Sequence, residues 1–139
     1  MKYRRLAIFS DCTHYFDAEG NVVTEVHVFC RQMQALAGMF EHTVIYCPFG
    51  KYGNTLVTSG YSLTNISFYP LPVAGGNKLP DKLNILIALP EWVKAYHHAY
   101  KQADIVYQRF PNNLNIPGFF YFFFLKAKVF GTYTGAWSN

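Results

Sequence analysis

The chain has 139 residues and a formal charge of +4, from 12 Lys and Arg against 8 Asp and Glu, a length that makes one domain with a real core and is too short for two. Hydrophobic residues are 51% and charged residues only 14%, where soluble domains carry about 25% charge, which excludes disorder and leaves either a large core or apolar surface meant for a partner. The basic residues are scattered (Arg4, Arg5, Arg31, Lys51, Lys78, Lys94, Lys101, Lys126) with no run or stripe, so the footprint of a nucleic-acid binder is missing while small phosphate-bearing molecules remain compatible.

The opening MKYRRLAIFS has too few apolar residues after its basic ones for a signal peptide. Leu6 to Ser10 is a short continuous apolar run, the mark of a strand covered on both faces. Asp11 to Asn21 is polar and predicts a loop, with Gly20 near its end. From Val23 to Met39 the apolar positions Val23, Val26, Cys30, Met33, Leu36 and Ala37 recur at three and four residues. That is one face of a helix, which Thr24 or Asn21 would cap. His42 to Cys47 is a second buried strand, closed by Pro48 and Gly50.

Lys51 to Asn65 is a polar loop with room for a short strand at Leu56 to Thr58, and Ile66 to Pro72 is the third strand. After the turn VAGGNKLPD, Asp81 to Gln102 is helical, and Pro90 predicts a break or kink with a second helix from Glu91 to Lys101. Ala103 to Phe110 is the fourth strand, Asn112 to Lys126 another helix, and Val129 to Tyr133 the last strand. The run IPGFFYFFFL is ten residues broken by Pro117 and Gly118, about half of the ~20 that span a bilayer. It reads as a buried or interface helix, with membrane-surface contact as the lesser alternative. Strands alternating with helices predict an α/β, doubly wound, mostly parallel Rossmann-like sheet over residues 1–139. Its centre is expected at Leu6–Phe9, Val44–Cys47, Ile105–Tyr107 and Val129–Tyr133.

Cys12, Cys30 and Cys47 are an odd number at irregular spacing, as suits reduced thiols in the cytoplasm. His27 and Cys30, with Cys12 and His14 upstream, lack the paired clusters of a structural zinc site, and no metal is expected. There is no G-x-G-x-x-G after the first strand, no G-K-[ST] and no G-x-S-x-G, which moves dehydrogenases, P-loop NTPases and α/β-hydrolases back. What remains is a long first loop with Gly20 just ahead of a helix N-terminus, where free N–H groups favour a phosphate and glycine admits close approach. The competing reading is that Gly20 only permits a turn. Asp11, His14, Tyr15 and Asp17 offer hydrogen bonds to a polyhydroxyl partner. Arg109 follows the fourth strand at the carboxyl edge of the sheet, to meet an anion or sugar there or to form a structural salt bridge.

Taken together, GNVVTEVHVFCRQMQAL…FEHTVIYCPF, ADIVYQRFPNN and KVFGTYTGAW resemble the N-terminal domain of retaining glycosyltransferases of the GT-B architecture, the large group that includes sucrose synthases and mannosyltransferases. The resemblance covers nearly the whole chain in order and spacing. It implies that Gly20 and Asn21 form the loop that approaches the donor diphosphate, Asn21 standing where many relatives have a second glycine. It puts His14, Tyr15 and Asp17 on the acceptor side, and Arg109, Thr134, Gly135 and Trp137 along the cleft. It further implies a cytoplasmic enzyme, or one at the inner membrane surface, without metal or cofactor. The substrates would be a nucleotide sugar and a glycan or lipid-linked acceptor, the donor gripped mainly by a C-terminal domain. On that reading the chain is the acceptor half of a two-domain enzyme, expected to transfer no sugar alone and to self-associate through its exposed aromatics. The rival reading is a non-catalytic α/β module that binds a sugar or a partner protein.

Overall fold

In the computed structural model, which describes residues 3–54, 56–75 and 78–133, alternation along the first strand, β1 (Arg5–Phe9), divides the core in two. Leu6 and Ile8 point to one side and pack with Phe29 and Met33 of α1 (His27–Ala37) and with Ile45 and Cys47 of β4 (His42–Pro48). Ala7 and Phe9 point to the other side and meet Trp92, Ala95, Tyr96 and Ala99 of α2 (Leu79–Gln102) and Phe122 of α3 (Asn115–Phe124). Helices therefore cover both faces of one sheet, which explains why its inner strands carry apolar runs with no polar alternation, Leu6–Phe9, Val44–Cys47 and Ile105–Tyr107.

That sheet has five strands in the order β6–β4–β1–β7–β8, every neighbouring pair parallel, with β6 at Ile66–Leu71, β7 at Ile105–Phe110 and β8 at Val129–Tyr133. Of the four strands expected at the centre, three are there. Val129–Tyr133 instead forms an edge, and among the described residues it pairs only with β7. Gly131 inside it packs its backbone on the Gln108 carbonyl, where a Cβ would stand 2.9 Å away.

A second sheet was not legible in the sequence: β2 (Tyr15–Phe16), β3 (Val22–Thr24) and β5 (Ser59–Gly60) are antiparallel in the order β2–β3–β5. The helix expected from Val23 accordingly starts at His27, because Val22, Val23 and Thr24 are consecutive β-branched residues that prefer an extended backbone. Neither expected cap acts as one. The N-cap is Val26, while Thr24 Oγ1 accepts from the Val26 N–H at 3.3 Å and donates to the Thr13 carbonyl at 3.0 Å. Asn21 closes the β2–β3 turn, and the short strand expected at Leu56 to Thr58 is instead Ser59–Gly60.

Pro90 does not break α2, which runs unbroken for 24 residues. Pro90 and Leu86 are both exposed, so the Leu86 carbonyl that loses its N–H partner faces water. The α3 helix is shorter than Asn112 to Lys126, since Asn112 Oδ1 accepts the Asn115 N–H at 2.7 Å and the chain turns after Phe124.

The junction of β7 and α3 is held from inside. The buried Asn115 Nδ2 donates to the carbonyls of Phe9 (3.2 Å) and Arg109 (2.6 Å), and Gln108 Nε2 donates to Asn115 O and Oδ1, both at 3.2 Å. Replacing Asn115 by Leu leaves those groups buried without this partner, and we expect a loss of about 2–3 kcal/mol in unfolding free energy. Urea denaturation checks it, with Asn112→Ala, at a half-exposed site, expected to cost about 1 kcal/mol.

Candidate functional site

The chain leaves β1 towards α1 on one face and leaves β7 towards α3 on the other, so a crevice opens between their carboxyl ends, where open α/β sheets take their ligands. The crevice holds about 190 Å³ and is lined by Ser10, Asp11, Cys12, Phe29, Arg109 and Asn112 among others. Arg109 lies with its guanidinium carbon 5.1 Å from the centre of the Phe29 ring, a cation–π contact that fixes the side chain without neutralising it. The ion pairs among the described residues are Arg4–Glu41 and Lys94–Glu91, so no carboxylate pairs with Arg109. Beside it the α1 N-terminus has no side-chain cap and no acidic residue in its first turn. The Val26 and His27 N–H groups are taken by Thr24 Oγ1 and the Glu25 carbonyl, so a positive charge and the helix dipole, with the Val28 and Phe29 N–H groups at its end, converge on one small space, which is an environment for an anion.

Asp11 borders this crevice and also a second cleft of about 240 Å³, whose other walls include Thr13, Leu71, Trp92 and Asn113. Its mixture of carboxylate, hydroxyl, amide and indole suits a polyhydroxyl ligand, with hydrogen bonds on one side and C–H surface on the other. Burial pushes the Cys12 thiol up, against a smaller opposing pull from its contact with Thr24, so this sulfur is no ready nucleophile at neutral pH.

The residues singled out in the sequence divide between separate places. Arg109 lies in the crevice. His14 is fully buried inside a ring of Phe29, Phe49, Tyr61 and Phe68, with no surface to offer an acceptor. Its Nδ1 faces the Cys12 carbonyl at 2.8 Å and its Nε2 the Tyr61 hydroxyl at 2.8 Å. A carbonyl only accepts, so Nδ1 carries the proton and Nε2 accepts from Tyr61. Tyr15 donates to Glu25 at 3.3 Å from the second sheet, and Asp17 Oδ1 accepts the N–H groups of Glu19 (3.0 Å) and Asn21 (2.8 Å). Asp17 is therefore a turn-former.

Gly20 is not ahead of a helix N-terminus, since β3 intervenes; it takes φ +82° in the hairpin turn, which is the structural reason for glycine there. Gly20 and Asn21 line a different groove, shared with Tyr61, Leu63 and Phe68 and not with Arg109. Thr134, Gly135 and Trp137 lie outside the described residues. Phe29, Trp92, Asn113 and Asn115 were not picked out from the sequence. Phe29, Cys30, Met33 and Ala37 are the buried residues of α1, so the periodicity of that helix carried the signal for Phe29. The spacing Asn112-Asn113-Leu114-Asn115 after a strand carried the signal for a side-chain-capped turn.

Among the described residues no group of three His, Cys, Asp or Glu is placed to hold a metal ion, and no helix is long and apolar enough to cross a membrane. Compared with protein-family models, with curated proteins and with solved structures, the chain finds no match.

Burial pushes the His14 imidazole down to about 4 from an ordinary 6.5. As pH falls from 6.5 to 4 the unfolded chain takes up a proton here that the folded chain refuses, so the stability contributed by neutral His14 is complete above 6.5 and is lost on acidification. The full effect is on the order of 3 kcal/mol. Urea midpoints measured between pH 5 and 6.5 should fall with pH, and His14→Asn, which removes the titrating ring, should flatten that slope.

Proposed function

We propose that this domain is the acceptor-side half of a retaining glycosyltransferase of the GT-B architecture, with a doubly wound Rossmann-like sheet. In this reading the substrate is a nucleotide sugar, and the sugar passes to a glycan or lipid-linked acceptor. The observation that supports it best is the crevice at the β1–β7 divide, where Arg109 lies over Phe29 without a carboxylate partner among the described residues. Arg109 and the α1 N–H groups stabilise the negative charge of a phosphate as the glycosidic bond breaks. Asp11, Thr13, Asn113 and Trp92 in the adjoining cleft hold and orient the acceptor hydroxyls. The chemistry needs no cofactor, and the setting is the cytoplasm or the inner membrane surface.

One observation favours the second reading, a non-catalytic sugar- or protein-binding module. Gly20 and Asn21, the residues assigned to the donor diphosphate, lie in a hairpin turn that lines a groove without Arg109. Under that reading the anion crevice serves recognition alone.

Binding of glucose 1-phosphate, followed by NMR shifts of the backbone amides, tests the site. We expect shifts at Asp11, Phe29 and Asn112, and a loss of at least about tenfold in affinity in Arg109→Ala, since a charge-assisted contact is worth about 1.5–3 kcal/mol. Unchanged affinity in that variant overturns the role given to Arg109. Incubated with a panel of UDP- and GDP-sugars, this 139-residue chain should bind without transfer; turnover above background overturns its assignment as half of an enzyme.

A further inference from the structure

The outer surface formed by α2 and α3 has a composition unlike the rest of the domain. Along the first half of α2, Leu79, Leu83, Leu86 and Ile87 are between 56% and 75% exposed. On α3, Ile116, Phe120, Phe123 and Phe124 are between 52% and 76% exposed. These positions lie opposite the residues that each helix buries, Ala88, Trp92, Ala95, Tyr96 and Ala99 on α2 and Gly118 and Phe122 on α3. Both helices pack on the same side of the sheet, and they touch through Tyr96 and Tyr121 and through His97 Nδ1 and the Tyr121 hydroxyl at 3.0 Å. The two apolar stripes therefore face outward together.

The charge of the chain is gathered in the same layer. On α2, α3 and the residues that flank them there are six Lys against two acids, Asp81 and Glu91, and in the rest of the chain, Arg109 and Asp104 included, six basic residues against six acidic ones. The whole excess of +4 belongs to these two helices and their flanks. Lys78 and Lys82 stand at the start of one stripe and Lys126 and Lys128 just past the end of the other. Of the acids on these helices, Asp81 accepts the Lys78 N–H at 3.1 Å and Glu91 is paired with Lys94 at 2.9 Å.

We propose that this face docks on the surface of an anionic lipid bilayer, lying in the interface without crossing it. Large leucine and phenylalanine side chains reach the boundary between headgroups and acyl chains, while lysines at the margin meet the acidic headgroups. Neither helix is long and apolar enough to span, which restricts the contact to one leaflet. The charge pattern selects lipid over a second copy of the chain. A two-fold interface through this face brings two sets of six lysines together with only Asp81 and the paired Glu91 of each copy to receive them. The proposal stands apart from the assignment of sugar transfer, since it uses none of the crevice residues.

Flotation of the full chain with phosphatidylcholine vesicles, with and without phosphatidylglycerol, tests it directly. Binding is expected only with the anionic lipid and should weaken as salt is raised. Lys126→Glu with Lys128→Glu, which leaves the apolar residues intact, should weaken binding at least about twentyfold, taking about 1 kcal/mol for each basic residue at the surface. Phe120→Ser with Phe124→Ser should reduce it to background, with folding checked by circular dichroism. Arg31→Glu, on the opposite side of the sheet, should change little. Equal binding to neutral vesicles, no binding to either, or a dimer that leaves all vesicles unbound overturns the proposal.

Discussion

Where β1 and β7 part, the carbonyls of Phe9 and Arg109 stand at the end of their ladder, and the Asn115 amide donates to both. Everything at the carboxyl edge follows from that bond pair. It holds the two strand ends at a fixed separation, so the crevice between them has a definite width. It also anchors the first turn of α3, whose Gly118 then sits so close to Tyr96 and Gln108 that a Cβ would come within 2.9 and 3.0 Å of them. Tyr96 in turn donates to the Leu114 carbonyl, tying α2 to the same junction. A buried polar cluster of this kind is costly unless satisfied. Here only the Gln108 Oε1 atom lacks a partner within it.

The large sheet was legible in the sequence because β1, β4 and β7 are buried on both faces, and a continuous apolar run has few other meanings. The small sheet was not, for its strands have two or three residues, too few to express any period. Val23 and Val26 happen to fit the spacing of the helix that follows, and this concealed a β-branched run with a stronger local preference. Arg109 was legible as a cleft residue from its place between a strand and a proline. The burial of His14 was not, since Phe29, Phe49, Tyr61 and Phe68 come from distant parts of the chain and nothing near position 14 announces them. Gly20 illustrates a different limit. A turn and a phosphate loop both call for glycine, and the structure shows the turn, with Gly20 at φ +82°.

The greasy composition has two sources. Part of it fills the core on both faces of the sheet, including the stacked pair Phe9 and Tyr46 with ring centres 4.4 Å apart. Much of the rest is displayed on α2 and α3, where Leu79, Leu83, Leu86, Ile87, Phe120, Phe123 and Phe124 are exposed. The anion crevice, by contrast, is lined by Phe29 of α1 and by the loops after β1 and β7. A surface for a large apolar partner and a pocket for a small charged one are thus kept on different elements.

The charge distribution adds a consequence for motion. Excess positive charge carried by α2, α3 and their flanks, with none elsewhere, gives the domain an electric dipole, so a negatively charged surface exerts a torque on it as well as a pull. Within about 8 Å, the screening length at physiological salt, that torque turns the basic layer forward before any side chain makes contact. The domain would arrive already oriented, and the search for a productive pose would become a rotation about one axis instead of a sampling of all of them.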